Sequence, residues 1–481
     1  MGFFGFVIML DVLDSLLRKS PASTHLHFLG ICGIAMGQMA IEMKRLGFHI
    51  SGSDLQCDPP ISLLLAAAGI NIKPSEPATH MGQEYDALVV GRIASAEDPI
   101  VRETATRGGL VIALPDLVIH FTRDSQRVVV AGTKGKTTTT AMLSWITDRA
   151  GLRPDFLIGG IPGCFSSGIR FNSSPLAILE GDEYASSPTD LTPKFVHYRP
   201  SAVVLTNVHP DHVELYPDFP SYRALFEDLM ARLPMDGFAI VCGDKNAGTQ
   251  SAIAAAPFPV TTVGWEATCN WRITEYEPFT DTVSFRFLDT SFSLPCLGKA
   301  NVLDAALAIA AARKLGVESA ISAAALRDFQ PVEERLQLVG TPGDVRLFID
   351  SNVHPASLQL AVESLRENSP TLRLLCVVQP QTPGTGDGYV QNALPLALAR
   401  ASHVLLAPPA NQIEEADPPF SHERLLSDLH DRGIEAVYRD SRKSIIAWVA
   451  ENIRPGDTIL LAVHAPSRAL LVQEISKALS P

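Results

Sequence analysis

The chain has 481 residues, of which 46% are apolar and 19% charged, with a formal net charge of −13. That length and apolar content suffice for two to four domains with sizeable cores. The acidic balance, without a basic cluster anywhere, argues against a nucleic-acid partner, because counterion release needs patches of Lys and Arg.

The first ten residues are apolar but lack a basic leading segment, and Asp11 and Asp14 interrupt them well short of the roughly 20 apolar residues that a membrane span needs. Residues 1–24 read as a peripheral helix or an over-long start, and no membrane insertion is expected. Seven cysteines, at positions 32, 57, 164, 242, 269, 296 and 376, show no C-x-x-C or metal-like spacing. They suit a reducing cytosol as small core residues, with neither a disulfide framework nor a zinc site expected.

From His25 onward, short β-rich apolar runs alternate with helical stretches. His25–Leu29, Phe48–Ser51, Ala87–Gly91 and Leu110–Leu114 are the strand candidates of a first parallel unit. The turn Gly30-Ile-Cys-Gly33 follows the first strand, and Ser53-Asp54 follows the second. A glycine turn feeding a helix N-terminus, with an acid about twenty residues later, suits a nucleotide diphosphate held by backbone amides. The spacing is not G-x-G-x-x-G, and close helix–strand packing would equally explain Gly33. Pro115 and the polar stretch 122–126 are expected to end this unit.

Arg127-Val-Val-Val-Ala-Gly-Thr-Lys-Gly-Lys-Thr-Thr-Thr-Thr140 is an apolar strand, a glycine loop, and a lysine followed by hydroxyl residues opening a helix. Phosphates need backbone N–H groups at a helix start, small residues that permit approach, and a cation. Gly132, Thr133, Lys134 and Gly135 form the loop. Lys136 is expected at the outer phosphates, and the hydroxyl of Thr137 or Thr138 on Mg²⁺. The strict G-x-x-x-x-G-K-[ST] pattern is not met, since Val130 stands five residues before Gly135. A crevice-exposed Lys136 predicts that its removal would abolish activity without disturbing the fold.

The next strands are expected at Leu176–Leu179, Ala202–Thr206, Phe238–Cys242 and Pro259–Val263. Glu180-Gly-Asp-Glu-Tyr184 follows the first of them, and Thr206-Asn-Val-His-Pro-Asp-His212 the second. The C-terminal ends of parallel strands share one edge, so both clusters should converge on the glycine loop. An isolated acidic turn would merely be solvated; two clusters beside a phosphate grip suggest Glu180 and His212 as Mg²⁺ ligands. Residues 271–294 alternate with period two and predict an antiparallel hairpin turning near Phe279–Asp281, followed by alanine-rich helices at Asn301–Leu315 and Glu318–Phe329. After Thr341-Pro-Gly343 a third alternating unit begins, with strands at Val345–Ile349, Leu372–Val378, His403–Leu406, Glu435–Tyr438 and Thr458–Val463. Asp350 ends the first of these, either as a helix cap or at a ribose hydroxyl.

Taken together, Gly30-Ile-Cys-Gly33, Ser53-Asp54, Gly132-Thr-Lys-Gly-Lys-Thr137, Glu180-Gly-Asp-Glu183, Asn207, Asp211-His212, Asn301 and Arg335-Leu occur in the order found in the Mur ligases of peptidoglycan synthesis, which this chain resembles over most of residues 25–350. The segment Asp54-Leu-Gln-Cys-Asp-Pro-Pro-Ile-Ser62 and the run Lys194-Phe-Val-His-Tyr198 resemble the branch that adds a tripeptide to UDP-N-acetylmuramate. The alanine-adding branch, or a relative that binds nucleotide sugar without turnover, is the alternative. Tyr222-Arg-Ala-Leu followed by Phe226 agrees with the muramate ligases, which lack the modified lysine of other members. Departures are Lys134 for a usual His, Ala300 for His, Asp304 for a later Asn, and Ile349-Asp-Ser-Asn-Val-His-Pro355 in the third unit.

The resemblance implies three α/β domains: a Rossmann-like UDP-sugar domain at 25–123, a central P-loop ATPase domain with a parallel sheet at 124–340, and a Rossmann-like C-terminal domain at 341–481. It implies ATP and Mg²⁺ as cofactors, a cytoplasmic monomer or weak dimer, and small-molecule substrates: UDP-N-acetylmuramate and a peptide or amino acid. Gly30, Gly33, Ser53 and Asp54 would hold the UDP-sugar, Asn301 the adenine, and Arg335 and Asp350 the phosphate and ribose side. Lys136, Glu180 and His212 would be catalytic, with Thr137, Glu180 and His212 organising the metal. An arginine segment usual for the incoming peptide is replaced by residues 379–386, so Arg373, Arg468 or the amides of Gly384 and Gly386 are expected to receive the peptide carboxylates.

Overall fold

A computed structural model of the chain describes residues 11–17, 20–74, 84–91, 97–187, 190–210, 216, 218–243, 246–380, 389–409 and 420–479. They gather into two compact units. The first comprises Met1–His209, Pro220–Arg272 and Asp304–Ala325, and the second Pro210–Phe219, Ile273–Leu303 and Leu326–Pro481.

The first unit carries two sheets. Strands β1 (His25–Leu29), β2 (His49–Asp54), β3 (Ile72–Pro74), β4 (Ala87–Val90) and β5 (Leu110–Ala113) lie in the order β3-β2-β1-β4-β5, all parallel. The order reverses at β1, so the glycine turn after it opens at the switch point where doubly wound sheets bind ligands. Pro115 sits in the first turn of the Leu114–Phe121 helix, where a missing N–H costs nothing.

The second sheet is built from β6 (Gln126–Ala131), β7 (Asp155–Leu157), β8 (Ile169–Arg170), β9 (Leu176–Glu180), β12 (Ala202–Leu205), β13 (Phe238–Cys242), β14 (Thr261–Gly264) and β15 (Trp271–Arg272), while β10 (Ala185–Ser187) and β11 (Asp190–Pro193) pair as a separate hairpin. Its order is β15-β14-β13-β12-β6-β9-β7-β8, parallel except for β8. Val128, Val129 and Val130 are fully buried, as a central strand covered on both faces requires. The sheets are tied by the Ile34–Arg45 helix: Gln38 Nε2 donates to Gly160 O at 3.1 Å, and the buried Glu42 accepts from Phe171 N at 2.5 Å while pairing with Arg45.

In the second unit, β16 (Thr274–Pro278), β17 (Val283–Phe287) and β18 (Thr290–Leu294) form a three-stranded antiparallel sheet rather than one hairpin. The second turn was hidden because Leu288 and Asp289 both adopt positive φ without the Asn-Gly or Asp-Gly signature. Trp271–Arg272, expected in that hairpin, instead edges the parallel sheet of the first unit. Strands β19 (Gln337–Gly340), β20 (Arg346–Ile349), β21 (Leu374–Val378), β22 (His403–Leu406), β23 (Glu435–Tyr438) and β24 (Thr458–Ala462) follow the order β19-β20-β24-β21-β22-β23, with only β19 antiparallel. Leu374, Cys376 and Val378 face one core and Leu375 and Val377 the other, the alternation of a sheet covered by helices on both sides.

Ahead of the first strand, residues 11–17 form a short helix that is docked, with Leu13, Leu16 and Leu17 buried and Asp14 bound to His120 and, at 2.9 Å, to Arg123. No helix among the described residues is long and apolar enough to cross a membrane. Because Leu13 is fully buried, Leu13→Ala is expected to cost about 2–5 kcal/mol, read as a lowered denaturation midpoint. An unchanged midpoint would mean that the segment is only peripheral.

Candidate active site

The glycine loop between β6 and the following helix forms despite its irregular spacing, because two positions in it tolerate only glycine. Gly132 has φ +130°, and a Cβ there would lie 2.2 Å from Thr206 Oγ1; Gly135 has φ +87°, and a Cβ there would lie 2.3 Å from Asp304 Oδ1. Gly135 caps the Lys136–Arg149 helix, whose first N–H groups therefore face the loop. Asn207, at the end of β12, braces the loop from the side: its Oδ1 accepts from Lys134 N and its Nδ2 donates to Lys134 O, both at 3.0 Å.

Strands β9 and β12 flank β6, and their C-terminal ends converge on the grip as the parallel topology requires. Thr137 Oγ1 donates to Glu180 Oε1 at 2.8 Å, and Glu180 Oε2 accepts from Gly159 N at 2.6 Å. A hydroxyl and a carboxylate side by side are hard oxygen donors that fit Mg²⁺. Among the described residues no group of three or more His, Cys, Asp or Glu forms a metal cluster. His212 and Asp211 lie outside the described residues, as do Gly384 and Gly386. Thr138 is half-buried one residue further along the helix.

Lys136 is not exposed in an open crevice. Its side chain is 15% exposed, and Nζ lies 2.9 Å from Oε2 of Glu183, whose own side chain is 0% exposed. Nζ also donates to Gly132 O at 2.7 Å. Burial opposes the ammonium charge, but Glu183 and the neighbouring Asp182 and Glu180 outweigh it, so the lysine is held above its ordinary value. The sequence marks Glu183 only as part of an acidic turn; its burial depends on how β9 meets the loop.

At the glycine turn of the first sheet, Gly30 adopts φ +78° and Gly33 caps the Ile34–Arg45 helix. Asp54 Oδ2 accepts from Cys32 N at 2.8 Å, and its Oδ1 from Leu55 N at 2.8 Å, so this carboxylate orders both loops. Ser53 is fully buried, with its hydroxyl 3.1 Å from His27 Nε2. Cys32 and Cys57 are joined in a disulfide, which corrects the expectation of seven free thiols. The 25-residue separation hid the pair, because it is strand pairing that brings the turn after β1 to the loop after β2.

In the second unit, Asn301 donates to Leu297 O at 2.8 Å, and Asp350 accepts from Leu336 N at 3.1 Å and Asn352 N at 2.8 Å. Burial pushes the Asp350 carboxyl up to about 6, against those amides and the nearby charges of Arg335 and Arg468. Neither Arg373 nor Arg468 is available for a peptide carboxylate. Arg373 precedes β21, at the opposite edge from the strand C-termini, and binds Asp457 at 2.6 Å and Asn452 O at 3.0 Å. Arg468 is 3% exposed, paired with Glu334 and donating to Val463 O at 2.9 Å. A lone arginine in the sequence does not reveal its partner, here more than 80 or 130 residues away.

Two outcomes follow from the buried charges. Lys136→Ala is expected to abolish nucleotide-dependent activity and also, by stranding the buried Glu183, to cost about 3–5 kcal/mol of stability; adding Glu183→Gln should recover most of the stability and none of the activity. Denaturant titration of both variants checks this, and an undisturbed single variant would contradict it. Burial raises the Asp304 carboxyl beside Gly135 to about 8. Between about pH 4 and 8 the folded chain keeps a proton that the unfolded chain releases, so this group's contribution is complete at the acid end and is lost as pH rises. Asp304→Asn should therefore raise Tm at pH 8 and leave it nearly unchanged at pH 4; equal shifts at both pH values would rule out this titration.

Comparison with known proteins finds one family along the chain. Residues 25–125 fit the description "Mur ligase family, catalytic domain", residues 130–312 "Mur ligase middle domain", and residues 334–463 "Mur ligase, glutamate ligase domain". A UDP-N-acetylmuramate–L-alanyl-γ-D-glutamyl-meso-2,6-diaminoheptandioate ligase of Escherichia coli (strain K12) is 30% identical over 448 residues, covering 91% of this chain and 94% of that one. A UDP-N-acetylmuramate–L-alanine ligase of Salinispora arenicola is 30% identical over 466 residues, covering 95% and 88%. The crystal structure of a murein peptide ligase from Psychrobacter arcticus superposes with a TM-score of 0.70 at 25% identity, covering 95% of this chain and 99% of that one. With the three-domain α/β architecture and these likenesses in agreement, the chain belongs to the Mur ligase family of ATP-dependent, amide-forming enzymes.

Proposed function

We propose that this ligase joins UDP-N-acetylmuramate to the tripeptide L-alanyl-γ-D-glutamyl-meso-diaminopimelate, in the cytoplasmic recycling of peptidoglycan. The observation that carries the choice of amine is full-length similarity to tripeptide ligases: besides the Escherichia coli enzyme, the one from Haemophilus influenzae is 28% identical over 444 residues, covering 91% of this chain and 95% of that one. The alanine-adding reading is supported by the Salinispora relative and is the second reading.

In this reading the muramate carboxylate attacks the γ-phosphorus of ATP, giving an acyl phosphate and ADP. The peptide amine then attacks the acyl carbon, phosphate leaves, and the nitrogen gives up its proton as the amide forms. The chain's contribution is positioning and charge neutralisation. Gly132, Thr133, Lys134 and Gly135 offer backbone to the phosphates, and Lys136 neutralises their outer oxygens. Thr137, Thr138, Glu180 and His212 are the proposed hydroxyl, carboxylate and imidazole partners of Mg²⁺, which when bound would neutralise phosphate charge. Gly30, Gly33, Ser53 and Asp54 are assigned to the UDP-sugar; the hydrogen bonds of Asp54 and Ser53 suggest that they act by shaping the turn. Asn301, Arg335 and Asp350 are assigned to the nucleotide, and the three domains to 25–123, 124–340 and 341–481.

Phosphate release from ATP in the presence of UDP-N-acetylmuramate and Mg²⁺, with L-alanine and the tripeptide supplied separately and in competition, tests this assignment. The tripeptide is expected to win by roughly 10-fold or more, a margin set by its additional carboxylate contacts. An enzyme that selects L-alanine replaces the first reading with the second.

A further inference from the structure

Glu183 has no role in the scheme above, yet it is the acid against which the grip is built. Its carboxylate is 0% exposed, in surroundings where an unpaired charge is costly. Lys136 Nζ lies 2.9 Å from its Oε2 and 3.2 Å from its Oε1, and the Tyr222 hydroxyl donates to Oε1 at 3.3 Å. Tyr222 is 1% exposed on the Phe219–Ala231 helix, and its oxygen lies 3.3 Å from Thr133 Oγ1. Thr133 Oγ1 in turn accepts from His209 N at 2.9 Å. The polar contacts thus run from the lysine through Glu183 and Tyr222 to Thr133, back into the same glycine loop.

An ammonium has three protons. The oxygens around Nζ are the two of Glu183, Gly132 O at 2.7 Å and Thr133 O at 3.5 Å. A phosphate arriving at the loop can replace the two loop carbonyls; it cannot replace a carboxylate that solvent does not reach. Fixing the cation before the nucleotide arrives removes the cost of orienting a flexible four-carbon side chain.

We propose that Glu183 is a positioning residue for phosphoryl transfer: together with Tyr222 it holds the Lys136 ammonium against the glycine loop, aimed at the β and γ oxygens of the nucleotide. The proposal rests on the ATP-dependent reading of the site and is independent of which amine is used. Glu183 acts through Lys136 and touches no substrate, so its effect must disappear when the lysine is gone.

The test uses the full-length chain and four variants: Glu183→Gln, Glu183→Asp, Lys136→Met and the double variant Lys136→Met with Glu183→Gln. ATP affinity is measured by calorimetry without the other substrates, and turnover by phosphate release. Glu183→Gln is expected to lower turnover roughly 100-fold and weaken ATP clearly, with the KM for UDP-N-acetylmuramate within about two-fold of the parent; Glu183→Asp should recover roughly ten-fold of the loss. In the Lys136→Met background, Glu183→Gln should change ATP affinity by less than about two-fold, because coupled residues are not additive. A Glu183→Gln enzyme with parental ATP affinity and turnover, or a loss that multiplies in full with that of the lysine, overturns the proposal. Should Glu183→Gln fail to fold, Tyr222→Phe decides: a drop of about three-fold or more in ATP affinity is expected from losing its hydrogen bond, and no change overturns the proposal. If the parent binds ATP but ligates neither amine, the choice of substrate has failed, while the affinity measurements still judge Glu183.

Discussion

The buried ion pair between Lys136 and Glu183 is the constraint around which the glycine loop and its neighbours in the first unit are arranged. A buried charge must be matched, so the loop that carries the lysine, the segment after β9 that carries the acid and the helix that carries Tyr222 have to meet at one place. Asn207 closes the remaining side by holding both backbone groups of Lys134. Glu183 and Glu180, three residues apart at one strand end, take different partners: the first bonds the lysine and the second the hydroxyl of Thr137.

Much of this was legible in the residues. Hydrophobic runs located the central strands, and the rule that parallel strands present their C-terminal ends together brought the Glu180 and Asn207 segments to the grip. Short strands such as β3, β7 and β8 were missed, because two or three residues carry no periodicity. The turn at Leu288-Asp289 was missed because its backbone departs from what those residue types favour. Which side chains are spoken for was illegible throughout. Lys136 reads as exposed, Arg373 and Arg468 as available, and Cys32 as free, until distant partners are supplied by the fold.

In the second unit the same principle shows which cations are already spoken for. Cations already paired with carboxylates maintain the sheet and its helices: Arg373 links β21 to the segment before β24, and Arg468 ties the last helix to Glu334. Gln379, at the end of β21, joins Pro408 O at 3.0 Å and His464 N at 2.9 Å, so three strand ends are knitted by one amide. That junction gives the C-terminal edge of the six-stranded sheet a fixed frame from which the following loops extend.

The Cys32–Cys57 disulfide has a practical consequence for anyone who handles the protein. It joins the turn whose amide is bonded to Asp54 with the loop that leaves that same aspartate. Preparations made with and without a thiol reagent are therefore two covalent species that differ by two hydrogens at the mouth of the first sheet. Alkylation followed by intact mass would count them separately. Any affinity measured for a nucleotide sugar belongs to one species or to a mixture, and the composition of the sample has to be known before such values can be compared.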